Sequence, residues 1–168
     1  GWFMVKSGLV HDVTVSHYRL SLHLSIAIII ISIIFWLIKN IISKEDKIFF
    51  KLSKEYLPFQ GLLLIIFIQI ISGAFVSGLD AGMIYQTWPM MGNSFFPDDV
   101  IFNEFNEILD LDNHSLVQFY HRNLAYIIIA YVFFLSIVIF FKKERNLYKP
   151  LSILLIILLL QIGLGIFT

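Results

Sequence analysis

An apolar run with a histidine and an arginine at its entrance constrains this chain more than any other feature. The stretch VQFYHRNLAY, Val117–Tyr126, continues through Ile127–Phe141 without a further charge. A helix of about 20 apolar residues, rising about 1.5 Å per residue, crosses the hydrocarbon core of a bilayer. His121 therefore lies roughly one turn inside a predicted membrane-spanning helix. An ionisable group at that depth is costly to bury without a partner, so it is a candidate functional residue.

The composition indicates a membrane protein. The chain is 58% hydrophobic and 14% charged, with a mean hydropathy of +0.84, whereas soluble domains carry about 25% charged residues. The formal net charge is zero, which gives no electrostatic footprint for a nucleic-acid partner. The absence of cysteine excludes disulfides, thiolate metal sites and iron–sulfur clusters in this chain. Both ends lie in apolar segments, so we expect a fragment of a larger membrane protein.

Four apolar runs are each long enough to be a membrane span. A second run with an arginine and a histidine at its entrance starts at Tyr18. We therefore predict an all-α fold, a polytopic transmembrane helix bundle that forms a single membrane domain over residues 1–168. The predicted spans are 18–38, 57–78, 117–141 and 150–168, and Gly1–Val5 is read as the end of an earlier span.

The charges of the connections orient the predicted spans. The links after the first and third spans are rich in lysine and arginine, which favours the cytoplasmic side. The connection 79–116 carries seven acids and no lysine or arginine, so we expect it outside. His23 and His121 then both lie at the outer end, roughly 6–8 Å into the apolar layer at about 1.5 Å per residue.

A weak internal repeat relates the two pairs of spans. The first and third spans both begin with an aromatic residue, an arginine and a histidine. The second and fourth spans each carry a glutamine followed by spaced glycines: Gln69 with Gly73 and Gly78, and Gln161 with Gly163 and Gly165. Small residues at such spacing let helices approach closely, and two similar helix pairs suggest a protein of two halves.

His23 and His121 have two interpretations. Each could hydrogen-bond a neighbouring helix without chemistry, or each could be an axial ligand of a haem iron, a role of neutral imidazole. A haem also needs cations for its propionates. Arg19 precedes His23 by four residues on the same helix face, and Arg122 is adjacent to His121 and long enough to reach the interface. Zinc is disfavoured because no acid or cysteine lies at ligand spacing.

The remaining polar candidates are less specific. His11, His17 and His114 lie in links and are read as solvated loop histidines. Asp80 follows the second span at its outer end. It could be a surface acid, a helix-end cap, or a group that holds a cofactor or a neighbouring arginine.

Four motifs together resemble the haem A synthase family, the Cox15/CtaA group in its alphaproteobacterial and mitochondrial form. They are GWFMVKSGL (Gly1–Leu9), YRLSLHL (Tyr18–Leu24), GLDAGMIYQTWPMM (Gly78–Met91) and VQFYHRNLAY (Val117–Tyr126). The resemblance covers nearly the whole chain in the right order.

The resemblance implies an eight-helix protein of two similar four-helix halves, of which this chain is an internal fragment. It would hold the end of the third helix, the fourth to sixth helices and part of the seventh. Two departures from the family pattern are small and replace no implied ligand: Gln86 where asparagine is usual, and Tyr120 where a small polar residue is commoner.

The activity implied by the resemblance is that of an oxidoreductase. The family oxidises the C8 methyl of haem O to the formyl group of haem A, for use in cytochrome oxidase, and carries a haem b cofactor. By motif, His23 matches a ligand to the iron of the substrate haem, and His121 a ligand to the iron of haem b. Arg19, Arg122 and Asp80 complete the candidate cofactor-binding set, and the partner ligands would lie outside the fragment, which alone would be inactive.

The resemblance also implies partners and a location. The partners are haem O, the lipid bilayer and, by association, haem O synthase and cytochrome oxidase assembly factors. The location is a bacterial inner membrane or, alternatively, the mitochondrial inner membrane.

Two other functions fit some of these features. A b-type membrane cytochrome would carry electrons without modifying haem, but such proteins often carry two histidines on one helix. A transporter with a proton relay would need an acid in the middle of a span. The apolar interiors of the first, third and fourth spans contain no acid, which disfavours the transporter.

Overall fold

Long apolar helices make up most of the computed structural model, which describes residues 16–43, 54–102 and 104–167. The described residues form α1 (His17–Ser43), α2 (Leu57–Gly78), α3 (His114–Phe141) and α4 (Tyr148–Phe167). The predicted terminal span Gly1–Val5 and the link residue His11 lie outside the described residues.

All four helices are long and apolar enough to cross a membrane. Their long stretches rich in leucine, isoleucine and phenylalanine suit this role, and a helix satisfies its own backbone hydrogen bonds where no water is present. In the part of the chain that the structure describes, the only β pairing is an isolated bridge between Met91 and Ser94. The predicted all-α, polytopic helix bundle is confirmed.

Local signals fix where the helices begin. Pro58 lies in the first turn of α2, where its missing N–H removes no helical hydrogen bond. Asn113 caps α3, and its side-chain Oδ1 accepts a hydrogen bond of 3.1 Å from the N–H of Leu116. α3 therefore begins at His114, three residues before the predicted span. How much of each helix lies in the bilayer stays a prediction.

α2 lies between α1 and α3 and runs antiparallel to both. At its end, a Cβ on Gly78 would lie 2.7 Å from the Cβ of His17, so only glycine permits this approach to the start of α1. At its beginning, Pro58 accepts a hydrogen bond of 2.9 Å from the hydroxyl of Tyr131 in α3. A Cβ on Gly61 would lie 3.2 Å from the same hydroxyl, so a small residue is needed there too.

α4 packs on α3 through a core of branched aliphatic side chains. The buried cluster consists of Leu62, Ile128, Val132 and Leu135, and Leu154, Leu155 and Leu158 of α4 pack against it. Lipid tails are as apolar as these side chains, so close packing rather than exclusion of water holds such helices together. The rest of α4 leaves its large side chains exposed.

The connection between α2 and α3 is folded. It contains short 3₁₀ turns at Ala81–Met83 and Phe105–Leu109. Gly92 has a φ of +81°, which suits glycine, and a Cβ there would also lie 2.9 Å from Oδ2 of Asp98. That same Oδ2 accepts a hydrogen bond from the N–H of Asn93, so the Asp98 carboxylate stabilises the turn at Gly92.

Candidate functional site

His121 of α3 is half-buried and faces α2. Its Nδ1 lies 2.8 Å from Oγ of Ser72. Nε2 of Gln69 lies 3.3 Å from each ring nitrogen and also donates to the backbone carbonyl of His121. The sequence predicted the depth of His121 but not these partners, which depend on how two separate helices are registered.

Gly73 provides the room that the His121 ring occupies. A Cβ at this position would lie 3.2 Å from Cε1 and 3.8 Å from Nδ1 of His121. Any larger side chain would have to displace the ring. The glycine that the sequence analysis grouped with Gln69 therefore allows the imidazole to pack against the α2 backbone.

The amide oxygen of Gln69 has no partner among the described residues. Its Oε1 is buried and accepts no hydrogen bond from the described residues. Exchanging the amide oxygen and nitrogen would point an oxygen at the carbonyl of His121, which is repulsive, so the orientation with Nε2 toward that carbonyl is favoured. The polar environment of His121 thus keeps one unused acceptor.

The helix register brings His23 to the level of His121. Gly78 of α2 packs against His17 of α1. Six residues further along α1 is His23, and six residues back along the antiparallel α2 is Ser72, the partner of His121. Both steps cover about 9 Å along a helix. This register agrees with the matched depth expected from the sequence.

His23 itself does not share the environment of His121. Its side chain is exposed, and no hydrogen bond to its ring is present in the described part of the chain. It follows Leu20 by three residues, at the edge of the α1 face that contains Leu20 and the buried Ser21. Arg19, one turn earlier, is half-buried. α2 separates the two histidines, so the structure does not bring them to one site.

Arg122 contacts the connection between α2 and α3. Its guanidinium donates to the backbone carbonyl of Thr87, at 2.8 Å, and to that of Tyr85. Two of its five N–H groups are therefore used to hold the loop. The proposed contact with a haem propionate stays a prediction, and it would have to use the remaining donors.

Gln118, four residues before Arg122, was missed by the sequence analysis. Its side chain is 4% exposed. The amide accepts from the N–H of Tyr85 at 3.2 Å and donates to the carbonyls of Gly82, at 3.2 Å, and Tyr85, at 2.9 Å. The available signal was an uncharged polar residue one turn before the arginine, on the same helix face.

Asp80 lies at the turn that follows α2. Its φ of 51° is left-handed, a conformation that aspartate tolerates better than most residues. The side chain is exposed and does not cap the 3₁₀ turn after it. The interpretations left open by the sequence, a surface acid, a helix-end cap of α2 or a group that holds a cofactor or an arginine, all stay predictions.

His17 was predicted to be a solvated loop histidine, and that prediction is wrong. It is the first residue of α1, and only 13% of its side chain is exposed. Its ring packs 5.4 Å from that of Phe75. Nε2 lies 2.9 Å from Oδ1 of Asp112, an ion-pair distance if the ring is protonated, but the angles do not make a hydrogen bond. His114 is exposed in the first turn of α3.

Asp99 ties the connection between α2 and α3 to the start of α3. One carboxylate oxygen accepts from the hydroxyl of Tyr85 at 2.6 Å and the other from Ser115 at 2.7 Å. Desolvation alone would raise the pKa of Asp99, but the hydrogen bonds from Tyr85 and Ser115 outweigh it, so the pKa is lowered. The pKa of Tyr85 is raised, first by this hydrogen bond and then by desolvation.

The donor set around His121 fits an axial haem ligand better than a multi-ligand metal centre. The described residues contain no group of three or more histidine, cysteine or acidic side chains that could hold a metal ion. His121 offers one nitrogen at hydrogen-bond distance from Ser72, while its other nitrogen contacts only the Gln69 amide among the described groups. A single neutral imidazole with one anchored nitrogen is the form in which histidine binds haem iron.

Comparison with known proteins gives a match over the full chain. Residues 1–168 match COX15-CtaA, described as cytochrome oxidase assembly protein. Curated relatives named Heme A synthase include those of Pelagibacter ubique, 43% identical, Wolbachia pipientis wMel, 40% identical, and Rickettsia prowazekii, 41% identical. Each alignment covers 100% of this chain and 47–50% of the relative. No solved structure matches the chain.

The chain thus spans about half the length of the curated relatives it matches. The family resemblance seen in the four sequence motifs is confirmed by this match. The chain belongs to the COX15-CtaA family of cytochrome oxidase assembly proteins.

Proposed function

We propose that this chain is part of a haem A synthase, an oxidoreductase that converts the C8 methyl of haem O to the formyl group of haem A. The observation that carries the proposal is the match of all 168 residues to the family and to relatives named Heme A synthase. The four membrane-length helices suit a hydrophobic substrate such as haem O. The chain covers half of each relative, so activity is a property of the full-length protein.

Within this proposal His121 would hold the iron of a haem b, and His23 would hold the iron of the substrate haem. The haem iron supplies the redox chemistry when it is bound. The residues of this chain would bind the haem, orient it and exclude water from it. The assignment of His121 as a ligand is supported by its half-buried ring and by the Ser72 contact at Nδ1. The assignment of His23 is supported by its position at the level of His121 and by an exposed ring whose nitrogens have no partner among the described residues.

The arginines are proposed to neutralise the haem propionates. Arg122 lies next to His121 and has N–H groups beyond those bound to Tyr85 and Thr87. Arg19 lies one turn before His23, close enough to serve a haem bound there. Asp80, at the outer end of α2, is the weakest member of the set because its exposed carboxylate would repel a propionate.

The proposed location is a bacterial inner membrane, with haem O, the lipid bilayer and cytochrome oxidase assembly factors or haem O synthase as partners. Apolar helices and bacterial relatives support a multi-pass membrane protein of this kind.

Pigment analysis tests the proposed activity. The full-length protein is expressed in a bacterial host that makes haem O but no haem A, and the haems of its membranes are extracted and separated by chromatography. We expect haem A, or an oxidised intermediate between haem O and haem A, which the empty-vector host lacks. Haem B and unmodified haem O alone would instead indicate an electron-carrying cytochrome.

A further inference from the structure

The hydroxyl of Ser72 lies between two polar groups that compete for its single proton. Oγ is 2.8 Å from Nδ1 of His121 and 2.9 Å from the backbone carbonyl of Gln69, one turn earlier in α2. A carbonyl oxygen can only accept, whereas Nδ1 can donate or accept according to the tautomer. The arrangement in which every group has a complementary partner runs from Nδ1–H to Oγ and from Oγ–H to the carbonyl.

This arrangement favours one tautomer of His121. When Nδ1 carries the proton, Nε2 of the neutral ring carries the lone pair and can bind a metal. In the opposite tautomer Ser72 would donate to Nδ1, the Gln69 carbonyl would lose its contact from the hydroxyl, and Nε2 would carry a proton and could not bind iron. The serine therefore favours the ring form in which Nε2 can be a ligand.

The Gln69 amide does not occupy the lone-pair axis of Nε2. Its nitrogen is 3.3 Å from both Nδ1 and Nε2. An atom equidistant from the two ring nitrogens lies over the ring or beyond Cε1, whereas an atom on the lone-pair axis of one nitrogen is far from the other. The amide therefore braces the ring, and its bond to the His121 carbonyl holds it there.

We propose that Ser72 is a positioning residue for His121: its hydroxyl accepts the Nδ1–H and donates to the Gln69 carbonyl, which orients the Nε2 lone pair toward a haem iron. The inference rests on the proposed function, in which His121 is an axial ligand. A hydrogen bond from the ring to an acceptor raises the basicity of the ligating nitrogen, and loss of such outer contacts weakens metal binding about 10-fold or more.

The test uses the purified full-length protein and two readouts, the amount of b-type haem per protein and its midpoint potential. In Ser72→Ala we expect haem retention to fall on the order of 10-fold, and the potential of the remaining haem to become more positive, because a less basic imidazole stabilises ferric iron less. Ser72→Thr keeps the hydroxyl and is expected to restore both values.

Ser136→Ala is the matched control. Ser136 is also a half-buried serine on a membrane-length helix, and its hydroxyl donates to its own helix, at the Val132 carbonyl, without contacting a histidine. We expect it to keep the wild-type potential. If Ser72→Ala does not accumulate, Ser72→Val and Ser72→Thr form a nearly isosteric pair that differs in the hydroxyl, and the potential should shift only in the valine variant.

The outcomes separate this inference from the proposed function. If His121→Ala loses the b-type haem while Ser72→Ala keeps the wild-type potential, the role of Ser72 is refuted and the ligand assignment stands. An equal shift in Ser136→Ala and Ser72→Ala also refutes it. If His121→Ala keeps an unchanged haem, both the ligand assignment and the role of Ser72 are refuted.

Discussion

The imidazole of His121 is held from one side by a small set of groups on α2. Ser72 and the Gln69 amide contact the ring, and Gly73 lets it approach the helix backbone. A side chain whose rotamer is locked by such neighbours is preorganised for binding, since little rotamer freedom remains to be lost. The ring of His23, which is exposed in the described structure, lacks this support.

Substitution of Gly73 tests the importance of this close approach. In Gly73→Val the added side chain starts 3.2 Å from Cε1 of His121 and must displace the ring. We expect the full-length variant to lose most of its b-type haem, measured as haem per protein. Gly163→Val is the control, because a Cβ there meets no described atom within 4 Å. Equal haem content in the two variants would contradict the role of Gly73.

The sequence predicted His121 as a candidate because an ionisable group inside an apolar run is costly without a function or a partner. It could not predict Ser72 as the partner, because that contact depends on the register of α2 against α3. Arg122 shows the same limit. Its charge suggested a propionate contact, but its bonds to Tyr85 and Thr87 come from a loop whose path the sequence does not reveal.

The first turns of α3 hold the connection between α2 and α3 against the bundle. Gln118 and Arg122 lie one turn apart and bind the backbone of the segment that contains Gly82 and Tyr85. Asp99 adds a second connection through Tyr85 and Ser115. The element that carries His121 therefore also orders the loop above it.

Removal of the Gln118 side chain should loosen this loop. Gln118→Ala removes the amide hydrogen bonds to the N–H of Tyr85 and the carbonyl of Gly82, each contributing about 0.5–1.5 kcal/mol, while the Tyr85 carbonyl keeps its bond from Arg122. We expect amide hydrogen exchange in the 82–87 segment to accelerate at least ~10-fold while the helices stay protected. Gln86→Ala, which removes an exposed amide from the same loop, is expected to leave exchange unchanged. Equal effects of both variants would contradict the role of Gln118 in holding the loop.

The contact between Tyr85 and Asp99 has a defined pH dependence. The pKa of Asp99 lies below its ordinary value of 3.8, so its stabilising effect is complete above that pH and is lost as the pH falls through the lowered pKa. The pKa of Tyr85 lies above 10.0, so the contribution of its neutral hydroxyl is complete below pH 10.0 and is lost as the pH rises through the raised pKa.

We therefore expect exchange protection of the loop to be constant between these limits and to fall above pH 10.0 in the wild type. Tyr85→Phe should have lower protection throughout and no alkaline step, because it has no titrating hydroxyl. Protection factors, which correct for the intrinsic pH dependence of exchange, are the measurement. An alkaline step that persists in Tyr85→Phe would assign it to another group.

The sequence predicted the existence and type of the helices better than their ends. Long charge-free runs fix the helical form in a membrane, but Asn113 extends α3 outward by a local cap. α1 also begins earlier than predicted, at His17, which the sequence pattern placed in a link. The folded connection was also not predicted, because its hydrogen bonds join residues distant in sequence, such as Tyr85 and Gln118.

At the scale of the whole molecule, α2 lies between its neighbours, whereas α1 and α4 leave broad apolar surfaces exposed. The chain spans about half the length of its relatives. We expect the exposed surfaces to contact lipid or other helices of the full-length protein. The bundle was predictable from hydropathy, but which faces are packed was not, because nearly every position in these helices is apolar.

The direction of the helices across the membrane stays a prediction from charge, and cysteine labelling tests it. This chain has no cysteine, so single cysteines introduced at the exposed positions Gln86 and Glu144 report two opposite ends of the bundle. We expect an impermeant maleimide to label Gln86→Cys in intact spheroplasts and Glu144→Cys only after permeabilisation. The protein without an introduced cysteine is the background control, and the reverse pattern would contradict the orientation.

The most direct test of the central claim, that His121 is a haem ligand, is the reduced-haem spectrum of purified full-length His121→Ala. His114→Ala is the matched control, since His114 lies two turns earlier in α3 and its side chain is exposed. We expect His121→Ala to insert into the membrane and to lose the b-type haem bands, and His114→Ala to keep them. Identical b-type spectra from the two variants would contradict the account.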